Sequence, residues 1–168
     1  MKIRQLGPAD AAIYQELRLY ALQESPAAFG SSYAREVDWP LEVIAERLGD
    51  ERNHTFGAFS NDGGLFGSAL LRREAGEGFA HKADLYAMYV KPEYRRQGAG
   101  CALVEAVIAR AEEIGVRQIN LMVNNAQKPA VQLYTACGFE RFGLERDAHW
   151  IGDGFADTAY MVRRVKDV

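Results

Sequence analysis

The sequence predicts a mixed α/β domain. Apolar residues alternate at period two in some stretches and recur at three- and four-residue steps in others. Residues 61 to 64, NDGG, join two strand-like runs in a hairpin signal, because Asn, Asp and Gly tolerate positive φ. A strand–helix–strand unit over residues 83 to 123 implies a locally parallel pairing.

Taken in order, Ile3 to Leu6 is a short strand. Pro8 opens a helix with Ile13, Leu17, Tyr20 and Ala21 on one face, and SPAAFGSS (25 to 32) breaks it. Pro40 suits a first helical turn, Leu41, Ile44, Ala45 and Leu48 form the next apolar stripe, and Gly49 stops it. HTFGAFS (54 to 60) and LFGSALL (65 to 71) are the arms of the hairpin. ADLYAMYV (83 to 90) is a strand whose alternation places Asp84, Tyr86, Met88 and Val90 on one face and Leu85, Ala87 and Tyr89 on the other. After Gly98 a helix carries Leu103, Ala106, Val107, Arg110, Ala111 and Ile114 as its stripe and ends at Gly115. QINLMV (118 to 123) is a strand, PAVQLYTAC (129 to 137) a short helix stopped by Gly138, and FERFGLE (139 to 145) and TAYMVRRV (158 to 165) are closing strands. The order is βααβββαβαββ.

The 168 residues fit a single domain spanning 1 to 168, and 48% hydrophobic residues suffice for one core. A net charge of −3 argues against a general nucleic-acid binder. No signal peptide opens the chain and no apolar run reaches the length of a membrane span, so a cytoplasmic protein with no membrane partner is expected. The two cysteines, Cys101 and Cys137, and three scattered histidines show no metal-ligand spacing, so no metal is expected. Cys101 and Cys137 read as small buried side chains rather than nucleophiles, since no histidine stands in a recognisable pairing with either.

The stretch YVKPEYRRQGAG (89 to 100) ends a strand, adds Arg95 and Arg96, and places Gly98 and Gly100 at a helix start. Unpaired N–H groups and the helix dipole attract phosphate there, and guanidinium groups add charge and donors. No Lys-Ser or Lys-Thr pair follows, so this is not a Walker A loop, and the GxGxxG pattern is incomplete. On spacing alone, a tight turn with two solvated arginines is the other reading.

Arg95-x-x-Gly98-x-Gly100 after YVKP resembles the acetyl-CoA signature of the GNAT N-acetyltransferases. The segment Ala130 to Phe139, with Leu133-Tyr134 followed by Gly138-Phe139, resembles that family's second signature. The resemblance implies a mostly antiparallel central sheet flanked by helices, with a V-shaped splay between two parallel strands. It implies acetyl-CoA as co-substrate, with its pyrophosphate on Arg95, Arg96, Gln97, Gly98, Ala99 and Gly100. The pantetheine arm would follow Met88, Tyr89 and Val90, and the N–H near Met88 would polarise the thioester carbonyl. Gln127 stands where the family often has a cofactor-contacting Asn, with Asn125 as its neighbour in that role.

Tyr134 falls on the family's tyrosine and is the expected proton donor to the leaving sulfur, a core tyrosine being its other reading. Asp84 is the base candidate, acting directly or through water, and a strand-edge salt bridge is its alternative. The implied activity is transfer of acetyl to a primary amine by direct attack, the acceptor being a small molecule or a peptide N-terminus. Residues 25 to 39 would shape the acceptor side. Glu36 and Asp38, with Glu24, favour a cationic acceptor, and Phe29, Tyr33, Trp39 and His149 could border it. A homodimer is a family-level expectation. A non-catalytic acyl-CoA sensor and a nucleotide-binding regulatory domain are the rival classes.

Overall fold

A computed structural model describes residues 1–152 and 154–165. Seven strands form one sheet in the order β1-β2-β3-β4-β5-β7-β6. They are β1 (Lys2–Gln5), β2 (Asn53–Phe59), β3 (Leu65–Arg73), β4 (Lys82–Val90), β5 (Gln118–Asn124), β6 (Glu140–Trp150) and β7 (Phe155–Arg164). Only β4 and β5 pair in parallel; the other neighbours are antiparallel.

The helices are α1 (Ala11–Glu24), the single turn α2 (Tyr33–Glu36), α3 (Leu41–Gly49), α4 (Ala99–Glu113) and α5 (Lys128–Ala136). Leu17, Ala21 and Leu22 of α1 and Ile44 and Leu48 of α3 bury one sheet face, together with Phe59, Leu65 and Tyr89. On the other face, Leu103, Val104, Val107, Ile108 and Ala111 of α4 pack on Leu71, Leu85, Ile119 and Leu121. No helix among the described residues is long and apolar enough to cross a membrane.

Several differences from the sequence expectation have clear causes. The buried stripe of α4 runs through Val104 and Ile108 instead of Ala106 and Arg110. Arg110 is drawn to the helix edge, where it pairs with Glu113 at 2.9 Å. The break at residues 25 to 32 is followed by α2, because Ser32 caps it by accepting from the Arg35 N–H. The last hairpin is longer than expected. Trp150 and Phe155 face each other with ring centroids 5.2 Å apart, so the strands extend almost to the turn, where the Ile151 N–H reaches the Gly154 carbonyl. Of the stretch 152 to 157, Asp153 lies outside the described residues.

The largest correction concerns β4. Tyr86 pairs with Leu70 and Tyr89 with Ser68, so Ala87 and Met88 together oppose Ala69. This is a β-bulge, and Ala87 takes φ 49 to make it. The extra residue reverses the alternation. Tyr89 joins Asp84 and Tyr86 on the α1 face, while Met88 and Val90 pack with Leu85 against the α4 core.

Candidate active site

The parallel pairing of β4 with β5 is short. It covers Lys82–Gln118, Ala83–Ile119 and Asp84–Asn120, and then stops. Beyond it, β4 stays registered with β3 as far as Val90, and β5 with β7 as far as Asn124. The two strands therefore part, leaving facing edges with unpaired backbone groups. The bulge at Ala87–Met88 lies inside this parting.

A cleft of about 650 Å³ runs through the gap. Its walls include Leu85 to Met88 of β4, Met122 to Asn124 of β5, and Gln127, Ala130 and Tyr134 of α5. This volume suits a small-molecule site. Arg18, Glu36, Arg47 and Arg72 line it from the α1–α3 side of the sheet, and Glu145, His149 and Tyr160 from the last hairpin.

At the open end of the gap, Val90 leads through a 3-10 turn at Pro92–Tyr94 into α4. Stacking of Tyr94 on Phe66, at 4.0 Å between centroids, fixes that turn. The Arg95 N–H is taken by the Pro92 carbonyl, and the next N–H bonded to a backbone carbonyl is that of Ala102, to Gly98. The N–H groups of residues 96 to 101 thus have no backbone acceptor among the described residues. Gly98 is left-handed, with φ 83, and a Cβ there would meet nothing within 4 Å. Backbone conformation, with open space beside it, explains this glycine.

Gly100 has another reason. A Cβ there would lie 3.0 Å from Leu133 of α5 and 3.5 Å from Met88. It lets the two helices approach and is not spare room for a ligand. The arginines also divide their work. Arg95 is committed: its Nε donates to the Val90 carbonyl and its Nη2 to Glu24, each at 2.8 Å. Arg96, at φ 61, is exposed and enters no ion pair among the described residues. The Gln97 side chain is turned back to the Glu93 carbonyl.

Tyr134 is 7% exposed and its ring meets Phe139 edge-on at 5.9 Å. Burial pushes its phenol above the usual range, with Cys137 adding to the shift, and no side chain hydrogen-bonds it. The hydroxyl therefore stays protonated beside the cleft. Gln127 lines the cleft; Asn125 does not, its N–H being held by the Asp157 carbonyl. Asn124 takes the place beside Gln127 and caps the turn by accepting from the Ala126 N–H.

Asp84 sits at the last paired position, where the gap begins. It is not itself in the cleft wall, but Tyr86 is, and so is Arg72, registered opposite Asp84. Burial, followed by the Glu74 carboxyl beside it, pushes Asp84 up to about 7. An aspartate so placed can exchange protons near neutral pH.

The acids expected to attract a cation are spent elsewhere. Burial would raise Glu36, but Arg18 grips both its oxygens at 2.9 and 2.8 Å and holds it below the usual carboxylate range. Glu24 accepts from Tyr89 and Arg95. Asp38 is exposed and outside the cleft wall. Of the aromatics, Phe29 lines the cleft, whereas Tyr33 and Trp39 pack against the α1–α3 core. Cys101 and Cys137 lie with sulfurs 3.9 Å apart, and burial with its neighbour pushes Cys137 up to about 11, unlike a reactive thiolate. Sequence reasoning missed Arg47, Arg72, Tyr86 and Glu145, which have no local motif.

A profile described as the acetyltransferase (GNAT) family matches residues 14–139. An aminoglycoside N(6')-acetyltransferase type 1 of Stenotrophomonas maltophilia is 32% identical over 144 residues, covering 82% of this chain and 85% of that protein. The ribosomal protein bS18-alanine N-acetyltransferase of Escherichia coli is 35% identical over 80 residues, 48% of this chain and 54% of that protein. Among solved structures, a putative acetyltransferase of Salmonella typhimurium with its cofactor acetyl-CoA superposes at TM-score 0.86, with 17% identity, over 100% of this chain and 95% of that one. That likeness concerns the fold: the same sheet with helices on both faces. The family profile over three quarters of the chain and a relative 32% identical over most of both chains show that the protein belongs to the GNAT family of N-acetyltransferases.

Proposed function

We propose that the protein uses acetyl-CoA to acetylate a primary amine of a small molecule. The observation that carries this reading is the parting of β4 and β5 beyond Asp84 and Asn120, with the free N–H groups of residues 96 to 101 at its open end. Those N–H groups and Arg96 would receive the pyrophosphate. The free edge of β4 from Met88 to Val90, with Gln127 across the gap, would hold the pantetheine arm.

Acetyl-CoA supplies the acetyl group as an activated thioester. The N–H groups freed by the bulge at Ala87–Met88 receive the negative charge that grows on the carbonyl oxygen as the amine nitrogen attacks. Asp84, through Tyr86 or a water, takes the proton lost by the amine as the C–N bond forms. Tyr134 donates a proton to the sulfur as the C–S bond breaks. Solvent returns the proton from Asp84 to Tyr134, so the balance is amine plus thioester to amide plus thiol.

The test is free-thiol release from acetyl-CoA across an amine library, with CoA affinity measured in parallel. Amine-dependent thiol release supports the reading. CoA binding without turnover on any amine would favour a sensor, and preference for ATP or NAD over CoA would overturn the site assignment.

A further inference from the structure

Among the described residues, five side chains of fixed charge line the cleft: Arg18, Arg47, Arg72, Glu36 and Glu145. Arg18 and Glu36 neutralise each other through a bidentate pair. Glu145 accepts a hydrogen bond from the Tyr160 hydroxyl of the same hairpin. Arg47 and Arg72 are left. Neither enters an ion pair among the described residues.

The two arginines come from different elements, and their backbones flank one residue. Asn53 donates its amide to the Arg47 carbonyl at 2.9 Å and is registered opposite Arg72 across β2 and β3. Its Oδ1 is buried and accepts from no group among the described residues, although Asn53 lines the cleft. An orphaned buried acceptor is costly unless a ligand meets it. Arg47 is also steadied, its Cζ lying 4.8 Å above the Trp39 ring, which leaves its N–H edge for a partner. This end of the cleft therefore has guanidinium donors, excess positive charge and an unmatched acceptor. Glu145 supplies negative charge from the last hairpin.

Resting on the reading of the cleft given above, we propose that the acceptor is an amine that also carries a carboxylate, an amino-acid-like zwitterion. Arg47 and Arg72 bind its carboxylate, and the Asn53 Oδ1 takes a second donor of the same molecule. A polycation such as an aminoglycoside would meet two guanidinium groups that no ion pair among the described residues neutralises. The charge layout selects against it.

The test uses the full chain with acetyl-CoA and thiol release as readout. Acceptors are α-amino acids, their matched α-carboxamides, and kanamycin as a polycation. The expected result is kcat/KM at least about tenfold higher for acids than for their amides, the range of a hydrogen-bonded charge. Arg72→Gln and Arg47→Gln should pull that ratio towards one, mainly through KM, and Arg72→Lys should restore part of it. A wild-type ratio of one or less, kanamycin as the best acceptor, or ratios unchanged in both Gln variants would overturn the proposal. If a Gln variant fails to fold by thermal melt, the wild-type ratio decides alone. Calorimetric CoA binding with no thiol release from any amine overturns the enzymatic reading and this proposal together. Turnover without acid preference overturns this proposal only.

Discussion

Arg95 Nη2 lies 2.8 Å from Glu24 Oε2, joining the start of the loop before α4 to the end of α1 across 71 residues of sequence. Tyr89 donates to the same carboxylate oxygen at 2.9 Å. The first arginine of the loop signature thus acts as a latch between the loop, β4 and the acceptor-side helix. On the proposed reading, its contribution to a bound pyrophosphate would be the shape of the loop it holds.

Glu24→Gln should weaken that latch. Both side chains are partly exposed, so the stability cost is about 1 kcal/mol or less. CoA affinity should fall severalfold because the loop loses its fixed shape. Calorimetry with CoA, beside a thermal melt, separates the two effects. An unchanged affinity would show that the loop holds its form without the latch.

Gly98→Ala and Gly100→Ala should fail differently. At Gly98, with φ 83, any other residue meets left-handed strain of about 1–2 kcal/mol, in open space. At Gly100 the new methyl group meets the end of the flexible Leu133 side chain at 3.0 Å, which can yield. Thermal melts and CoA titration should therefore show the larger loss for Gly98→Ala. The reverse order would mean that α4–α5 packing, and not loop conformation, controls the site.

Much of this was legible because single-residue backbone demands leave marks in sequence. Gly98, Pro129 and Gly138 punctuate the loop and α5, and the hydrophobic steps around Leu103 announce α4. The bulge at Ala87 was not legible. ADLYAMYV alternates like an uninterrupted strand, and an alanine at φ 49 carries no signal, so Tyr89 was assigned to the wrong face. Arg47 and Arg72 escaped for another reason. They come to line one cleft only when β2 pairs with β3 and brings Asn53 opposite Arg72. Glu36 misled because a lone acid in a loop looks free, whereas Arg18 arrives from 18 residues away.

Tyr134→Phe isolates the hydroxyl. No side chain hydrogen-bonds it, so its removal should cost little stability and leave CoA affinity within about twofold. Turnover should fall on the order of 10²–10⁴, the usual range for a lost general acid. A stopped assay at saturating acetyl-CoA reads this directly. Undiminished turnover would return Tyr134 to a packing role against Phe139.

The pH dependence rests on Asp84, pushed up to about 7 by burial and by Glu74. As a base it must be deprotonated, so kcat/KM should rise with pH through about 7 and then level. Stability should move the other way. The unfolded carboxyl titrates near 3.9, so between about 4 and 7 the folded state holds a proton that the unfolded state lacks. Stability from this group is complete below about 4 and is lost as pH rises through about 7. Asp84→Asn should therefore flatten the acid limb of the rate profile and raise the melting temperature at pH 8 relative to wild type. A retained acid limb in that variant would assign the base to another group. Loss of the limb with no gain in stability at pH 8 would mean that the Asp84 charge is solvated more fully than its place at the root of the β4–β5 gap requires.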